Sequence, residues 1–285
     1  MTLARRVLSG NRIPAPLLFV TGGLSMYLGA AAAVWLFDVA EPAAVAWLRQ
    51  LGAAVVLLAW RRPGRAAWRG KVFWLAAVFG MVTAGMNIAF YEAIARLPLG
   101  TAVALEFVGP VLVAAMGSRS VRDFAALSLV VSGVVLIADV RWAGSPLGVV
   151  FALSAAVLWA GYIVLGKRVA SLGLGVDGLA VGFGVATVLL SPLALGASQV
   201  WSSPRFLVLG IGVGVLSTVV PYVLDQVVLL RTGQAAFALL LALLPVTATV
   251  VGLVVLRQVP SLPEALGIFA VVAGLTMRTR DRQSL

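Results

Sequence analysis

The chain of 285 residues contains no cysteine and no histidine. Without cysteine it can form no disulfide, no haem thioether and no cysteine-ligated iron–sulfur cluster. Without histidine it lacks the commonest proton shuttle and the commonest ligand of transition metals. We therefore expect no metal and no other cofactor. An enzyme built from this sequence would have to use a serine–lysine pair or two aspartates.

Charged residues are also scarce. Only 11% of the residues are charged, whereas 62% are hydrophobic and the mean hydropathy is +1.08. A soluble fold needs far more polar surface than this. A helix that crosses a bilayer needs about 20 apolar residues, and the sequence predicts an all-α membrane protein with ten such helices. The predicted spans are 17–36, 42–60, 72–94, 98–116, 123–140, 146–166, 176–198, 205–229, 235–256 and 263–277.

The basic residues predict how the chain is oriented. Of the 21 lysines and arginines, 16 fall in alternate loops that become cytoplasmic if the N-terminus is cytoplasmic. Cytoplasmic loops of membrane proteins carry such an excess, so we expect both termini in the cytoplasm. The net charge of +11 is spread over these loops and therefore does not indicate a nucleic-acid partner. The first apolar run lacks a convincing cleavage site before Asp38, which favours a first span over a signal peptide.

The sequence repeats after 135 residues. Arg96 and Arg231 are 135 positions apart beside similar apolar helices, and so are Pro110 and Pro245. Each repeat contains five predicted spans, and because five is odd the second repeat enters the bilayer from the opposite side. We predict two five-helix repeats of inverted topology, residues 1–142 and 143–285. Secondary transporters have this architecture, with the substrate between the repeats at the midplane.

The same offset relates polar and aromatic residues inside the spans. Tyr27 in span one corresponds to Tyr162 in span six. Residues at i, i+3 and i+4 share one face of a helix, so spans three and eight each present a polar and aromatic stripe. The stripes consist of Asn87, Phe90 and Tyr91 in span three, and of Tyr222, Asp225 and Gln226 in span eight. We expect the two stripes to face each other across a central cavity.

Ionisable residues inside a bilayer are costly and usually functional. Arg49 and Glu106 each lie about 12 Å below the outer end of a predicted span, at about 1.5 Å per residue. They could form a structural ion pair, or they could bind a substrate or exchange a proton. In a site for a zwitterion, Arg49 would bind the carboxylate and Glu106 the ammonium. Glu92 and Asp225 lie closer to the membrane surfaces, where we expect them to reach the interface.

These considerations define the predicted site. Proline removes a backbone hydrogen bond and permits a kink, so the repeat mates Pro110 and Pro245 are candidate hinges. The predicted substrate-binding residues are Arg49, Asn87, Tyr91, Glu106, Trp159, Tyr162, Tyr222 and Gln226.

Other classes of protein are disfavoured. Gly161, Gly166 and Lys167 have the spacing of a phosphate loop, but Arg168 follows where that loop needs serine or threonine, so we expect no nucleotide. Neither lysine of the chain is deep in a span and Asp225 has no deep aspartate partner, which argues against an intramembrane enzyme. A pore would show a ring of charge or a filter-like loop, and the sequence shows neither.

Three segments resemble a known family. Residues 97–110 read LPLGTAVALEFVGP, residues 159–163 read WAGYI and residues 216–222 read LSTVVPY. They are similar to the threonine/homoserine exporter branch of the drug/metabolite transporter superfamily, whose unit is the EamA domain; the related aromatic amino-acid exporters share this fold. Leu244 stands where that branch usually has an acidic residue, and Arg257 and Gln258 stand where it usually has Gly-Glu. The resemblance implies a ten-helix exporter of amino acids or similar metabolites in the bacterial inner membrane.

The sequence thus predicts a secondary transporter that exports amino acids or similar metabolites by alternating access. Export of drugs or other apolar metabolites, and facilitated transport without ion coupling, stay open as alternatives. The expected partners are a small-molecule substrate and the lipid bilayer, and the architecture is compatible with a monomer.

The predicted orientation can be tested because the chain has no cysteine of its own. Ser145→Cys places a thiol in the loop between the repeats, and Ser284→Cys places one near the C-terminus. A membrane-impermeant maleimide should label the first variant in intact cells and the second only after permeabilisation. Equal labelling of both variants in intact cells would contradict the predicted even number of spans.

Overall fold

The computed structural model describes residues 13–115, 121–142, 144–172 and 175–281. Every regular element in these ranges is helical. The α-helices are α1 (Ala15–Leu36), α2 (Pro42–Arg61), α3 (Gly70–Ile94), α4 (Leu99–Glu106), α5 (Val108–Ala115), α6 (Val121–Trp142), α7 (Pro146–Ser171), α8 (Gly175–Leu189), α9 (Ser198–Trp201), α10 (Pro204–Gly214), α11 (Val220–Leu241), α12 (Leu243–Val255) and α13 (Leu262–Asp281). The other regular elements of the described residues are two 3-10 turns, Arg65–Trp68 and Ser191–Ala197, and one π turn, Val215–Val219.

Several of these helices are long and apolar enough to cross a membrane. Five meet this condition alone, and a bent pair makes a sixth. Four further apolar helices contain 10–17 residues each: Leu99–Val113, Phe124–Ile137, Leu243–Val255 and Leu262–Met277. All ten segments coincide with predicted spans. The all-helical membrane architecture is confirmed, whereas ten crossings as two inverted repeats stay a prediction.

Two helix breaks lie at repeat-related positions. One separates α4 from α5 at Phe107, and the other separates α11 from α12 at Ala242, exactly one repeat length of 135 residues later. Pro110 and Pro245 are each the third residue after their break. Proline is tolerated in the first turn of a helix because its missing N–H has no helical acceptor there. The two prolines therefore account for where the new helices begin, and motion about these breaks stays a prediction.

Span seven is not the single helix that the sequence predicts over 176–198. Helix α8 ends at Leu189, and the chain continues through the turn Ser191–Ala197 into α9, bent by 64°. Pro192 explains the bend, because its ring and its missing N–H interrupt the helical hydrogen bonds.

The predicted connection between spans eight and nine is also helical, since α11 runs through it. The contacts with α1 show that the chain nevertheless reverses direction near Arg231. In chain order they join Leu224 to Gly22, Arg231 to Ile13, Phe237 to Phe19, and Leu244 to Gly23. They run towards the start of α1 and then away from it, so α11 supplies the end of one crossing and the start of the next.

Helices of the two predicted repeats approach each other closely at glycines. A Cβ on Gly80 of α3 would collide with the backbone of Gly182 of α8. A Cβ on Gly52 of α2 would lie 2.7 Å from the carbonyl oxygen of Ile211 in α10. Small residues allow such approach in membranes, where packing rather than water drives helix association. These contacts fix the helices that surround the central cavity.

We predict that Gly80→Ala and Gly182→Ala destabilise the protein. The added methyl group would overlap backbone, which cannot move aside as a side chain can, and overpacking of this kind costs about 1–3 kcal/mol. Gly212→Ala is the matched control, because nothing lies within 4 Å of a Cβ there. Thermal unfolding in detergent should show a lower midpoint for the first two variants and an unchanged midpoint for the third; equal midpoints for all three would contradict the packing.

Candidate functional site

A cavity of about 400 Å³ lies between the helices of the two predicted repeats. Most of its wall is apolar, with a small number of polar groups, as in binding sites for small molecules. The polar and aromatic wall residues are Tyr27, Arg49, Thr83, Asn87, Phe90, Glu106, Trp159, Tyr162, Phe183, Ser217, Thr218, Tyr222, Asp225 and Phe237. The volume suits a molecule of the size of an amino acid.

Most of the predicted site residues meet at this cavity. The wall includes Arg49, Asn87, Glu106, Trp159, Tyr162 and Tyr222, and also Pro110. Tyr91 is fully buried behind the wall, and Pro245 is buried at the start of α12 without lining the cavity. The side chain of Gln226 lies outside the part of the chain that the structure describes.

The 135-residue offset is visible in the cavity wall. Six pairs of residues 135 positions apart line it: Tyr27 with Tyr162, Thr83 with Thr218, Met86 with Pro221, Asn87 with Tyr222, Phe90 with Asp225, and Glu106 with Leu241. Helix packing alone would not require equivalent positions of both halves to face one space. The pairing is the arrangement that two related repeats around one cavity would produce, and the inverted relation of the repeats stays a prediction.

Arg49 connects the first half of the chain to the second. Its Nε donates a hydrogen bond to Oγ1 of Thr218 at 3.1 Å, and its Nη2 donates one to the carbonyl oxygen of Ser217 at 3.2 Å. The guanidinium carbon lies 5.5 Å from the centre of the Tyr91 ring, within the range of a cation–π interaction. The cation thus sits at the cavity wall with two hydrogen bonds and an aromatic face against it.

The acceptor for Arg49 exists because of the local sequence. Pro221 has no N–H, so the carbonyl of Ser217, four residues earlier, has no helical donor. The π turn shifts the N–H of Val220 to the carbonyl of Val215, which leaves the Leu216 carbonyl without its helical donor. Ser25 of α1 donates to that second carbonyl at 2.8 Å. Both freed acceptors are used by side chains of the first half.

Glu106 does not form the ion pair with Arg49 that was one of the two predicted possibilities. Its side chain is only 8% exposed and lies within electrostatic range of Arg49. The residues that the structure describes contain no salt bridge between these two, and none of them donates a hydrogen bond to the Glu106 carboxylate. The structural ion pair is therefore wrong, because Arg49 is turned towards the π turn. A buried carboxylate without a protein partner is suited to a ligand or a proton.

Asp225 is a wall residue that is absent from the predicted substrate-binding residues, although the predicted stripe of span eight contains it. We expect it at the interface from its position in the span, yet it lines the cavity and accepts no hydrogen bond from the described residues. The chain reverses only at Arg231, so Asp225 lies deeper than a loop-end residue would. Its place in the stripe, three residues after Tyr222 and one repeat length after Phe90, was the signal that could have identified it.

Tyr91 is the clearest difference from the predicted site. Its side chain has no exposed surface, and its hydroxyl makes no hydrogen bond of normal geometry with the described residues. The Phe37 ring packs against one side at 6.0 Å, and Arg49 covers the ring face. Tyr91 is therefore one layer behind the cavity, because the arginine occupies the space that a substrate would need to touch it.

The end of the bundle where α1 ends is densely packed, with Leu99, Thr101 and Glu264 each at most 1% exposed, and we call it the closed end. There, Oγ1 of Thr101 donates to Oε1 of Glu264 at 2.7 Å, and the N–H of Leu99 donates to Oε1 of Gln258 at 2.8 Å. Glu264 also accepts hydrogen bonds from Ser261 at the start of α13. The opposite side of the wall continues along α8 and α11 to Leu179 and Asp225. The lining thus extends towards the end where α1 begins.

Membrane-length helices around a central cavity with charged and aromatic wall residues define a membrane transporter of small molecules. Comparison with known proteins identifies its family. The model of the EamA-like transporter family matches residues 146–280. The threonine/homoserine exporter RhtA of Salmonella typhimurium (strain LT2) is 33% identical over 253 residues, which cover 87% of this chain and 85% of that protein. RhtA of Escherichia coli (strain K12) is 31% identical over 264 residues, covering 90% and 89%.

The chain belongs to the EamA-like transporter family of the drug/metabolite transporter superfamily, and it is a transporter rather than an enzyme. A crystal structure of another protein has the same fold, with a TM-score of 0.61 over 95% of this chain and 98% of that chain. Its sequence identity is 21%, so this likeness concerns the fold alone.

The extent of the cavity predicts a pattern of thiol reactivity. Ile163→Cys places a thiol on the cavity wall, and Ile94→Cys places one at a position that is 3% exposed near the closed end. A small hydrophilic thiol reagent should modify the first variant quickly and the second at least about tenfold more slowly, because water reaches only the cavity. Faster reaction at position 94 than at position 163 would contradict the assignment of the closed end.

Proposed function

We propose that this protein exports amino acids or similar small metabolites across the bacterial cytoplasmic membrane. The observation that carries the proposal is the cavity itself, which presents one guanidinium, Arg49, and two carboxylates, Glu106 and Asp225, that have no hydrogen-bond or salt-bridge partner among the described residues. Charges of both signs in an apolar cavity match a zwitterion. The relatives are named as exporters of threonine and homoserine, which are zwitterions.

The wall residues suggest how such a substrate is held. The carboxylate binds Arg49, because guanidinium and carboxylate pair in a bidentate geometry. The ammonium binds Glu106, and Asp225 supplies a second site for a cation or a proton. Asn87, Trp159, Tyr162 and Tyr222 surround the substrate side chain. Tyr91 and Pro245 act from behind this layer, and Gln226 stays a predicted wall residue.

Alternating access of two inverted repeats, residues 1–142 and 143–285, is the mechanism we propose. The family model supports the proposed boundary between the repeats, since its match to residues 146–280 covers nearly all of the second repeat, residues 143–285. The helix breaks at Phe107 and Ala242 support alternating access, because Pro110 and Pro245 provide candidate hinges at equivalent positions in both halves. The repeats would rock about these hinges and open the cavity to one side at a time.

The distribution of basic residues supports an orientation with both termini in the cytoplasm. In that orientation the end where α1 begins is cytoplasmic, and the closed end at Thr101 and Glu264 is external. The present arrangement is then the state that loads substrate from the cytoplasm, as an exporter requires.

A facilitator without ion coupling is the second candidate. Leu244, which lines the cavity, stands where the resembling exporters usually carry an acidic residue. One carboxylate fewer leaves fewer groups to carry a proton. Liposomes containing the purified protein decide between the two functions, with a panel of labelled amino acids and apolar drugs as substrates. An exporter accumulates an amino acid against its gradient when a proton gradient is imposed, whereas a facilitator only equilibrates it. Saturation only by apolar drugs would contradict amino-acid export.

We predict that Glu106→Gln lowers transport at least about tenfold while the protein stays folded, because the amide keeps the shape of the side chain but cannot pair with an ammonium. Glu92→Gln is the control, since Glu92 forms a salt bridge with Arg96 away from the cavity. Transport into liposomes and thermal unfolding in detergent measure the two properties. Wild-type rates for Glu106→Gln at every pH tested would remove this residue from the site.

A further inference from the structure

We infer that the π turn Val215–Val219 and Pro221 position Arg49 as the receptor for the substrate carboxylate, with Thr218 and Pro221 as the positioning residues. The inference rests on the proposed function, because it names the group that reads one end of the amino acid. It concerns residues of the second half acting through an arginine of the first half. Neither Thr218 nor Pro221 is required to touch the substrate.

The first argument is the geometry of the guanidinium. Arginine presents two edges with paired N–H donors: Nε with Nη2, and Nη1 with Nη2. In Arg49 the Nε and Nη2 edge is bound to Thr218 and Ser217. The other edge consists of Nη1 and the second N–H of Nη2, and it has no hydrogen bond to a described residue. A carboxylate needs one such edge for two parallel hydrogen bonds, and the edge left by the π turn provides it.

The second argument is that the acceptor is held rigidly. The π turn and Pro221 leave the carbonyls of Leu216 and Ser217 without helical donors, and Ser25 of α1 donates a hydrogen bond to the Leu216 carbonyl. The hydroxyl of Ser217 donates to the Met26 carbonyl at 3.3 Å. At Gly29 the two helices are so close that a Cβ would meet Ser217. The Ser217 carbonyl is thus anchored on both sides, so it can hold the arginine in one place.

The third argument concerns competing charges. The salt bridges of the described residues join Arg61 to Asp177 and Arg96 to Glu92, and neither involves Arg49. The buried ring of Tyr91 lies behind the guanidinium and closes its rear face. Among the described residues the direct contacts of Arg49 are therefore all neutral, although Glu106 lies within electrostatic range, so no salt bridge occupies the guanidinium.

The test measures how strongly the protein prefers a carboxylate to an amide. The probes are L-threonine and L-threonine amide, whose dissociation constants are measured on the purified full-length protein in detergent. The wild type should bind L-threonine at least about tenfold more tightly, because the amide lacks the charge that Arg49 pairs with. Thr218→Val should lower this preference about fivefold to tenfold, since a hydrogen bond from a charged group is lost. Thr218→Ser keeps the acceptor and should restore it.

Pro221→Ala tests the role of the second positioning residue. Alanine supplies an N–H that can donate to the Ser217 carbonyl and so compete with Arg49. The preference for the carboxylate should fall by a similar factor. The controls are Thr247→Val, which loses a hydrogen bond within one helix, and Pro204→Ala, at the first residue of α10. Both should keep the wild-type preference.

The outcomes separate the inference from the proposed function. A loss of preference in Thr218→Val and Pro221→Ala, with rescue by Thr218→Ser, supports the inference, and a purely structural defect would weaken both probes equally. An unchanged preference in Thr218→Val and Pro221→Ala overturns it. If the wild type binds both probes equally, Arg49 does not read the carboxylate and the inference fails, although transport can still be shown. If the wild type neither binds nor transports any amino acid of the panel, the proposed function fails, and the inference with it.

Discussion

The contact of Arg49 with the π turn is the interaction on which the central site depends. A cation in an apolar bilayer interior needs hydrogen-bond acceptors. The chain provides one by breaking the regular hydrogen bonding of the opposite half at Pro221. Arg49 thus has hydrogen-bond acceptors without a neutralising carboxylate, and Glu106 has no partner among the residues that the structure describes. The charged groups of the cavity therefore do not pair with each other in the described residues, which is why we propose that they bind a ligand.

Close helix packing supports this arrangement. Glycines bring the backbones of α2 and α10, and of α3 and α8, into direct contact. Ser25 and Ser217 donate hydrogen bonds to backbone carbonyls across a further interface, between α1 and the π turn. At the closed end, Gln258 caps α4 through the N–H of Leu99. The sequence analysis noted Gln258 only as a departure from the resembling exporters. Gln258 therefore supplies a hydrogen-bond acceptor at the closed end although it differs from the residue usual in those exporters.

Much of the fold was predictable because its signals are periodic. Apolar length located the spans, and the 135-residue offset identified Tyr27, Tyr162, Asn87 and Tyr222 as residues that meet at the cavity. What the sequence could not show depends on local backbone geometry. A π turn has no periodic signature, so the sequence left open an ion pair of Arg49 with Glu106 and did not indicate the contact with Thr218 and Ser217. The helical reversal near Arg231 likewise hid the depth of Asp225, and the bend at Pro192 has no counterpart in the first repeat.

The central claim is that the two repeats move relative to each other and expose the cavity to each side in turn. Spin labels at Asp38→Cys and Val259→Cys, both at exposed positions on the closed end and in different repeats, report this motion in the otherwise cysteine-free chain. Double electron–electron resonance in lipid should give two distances whose proportions change when a transported amino acid is added. A single distance that no transported amino acid alters would contradict alternating access.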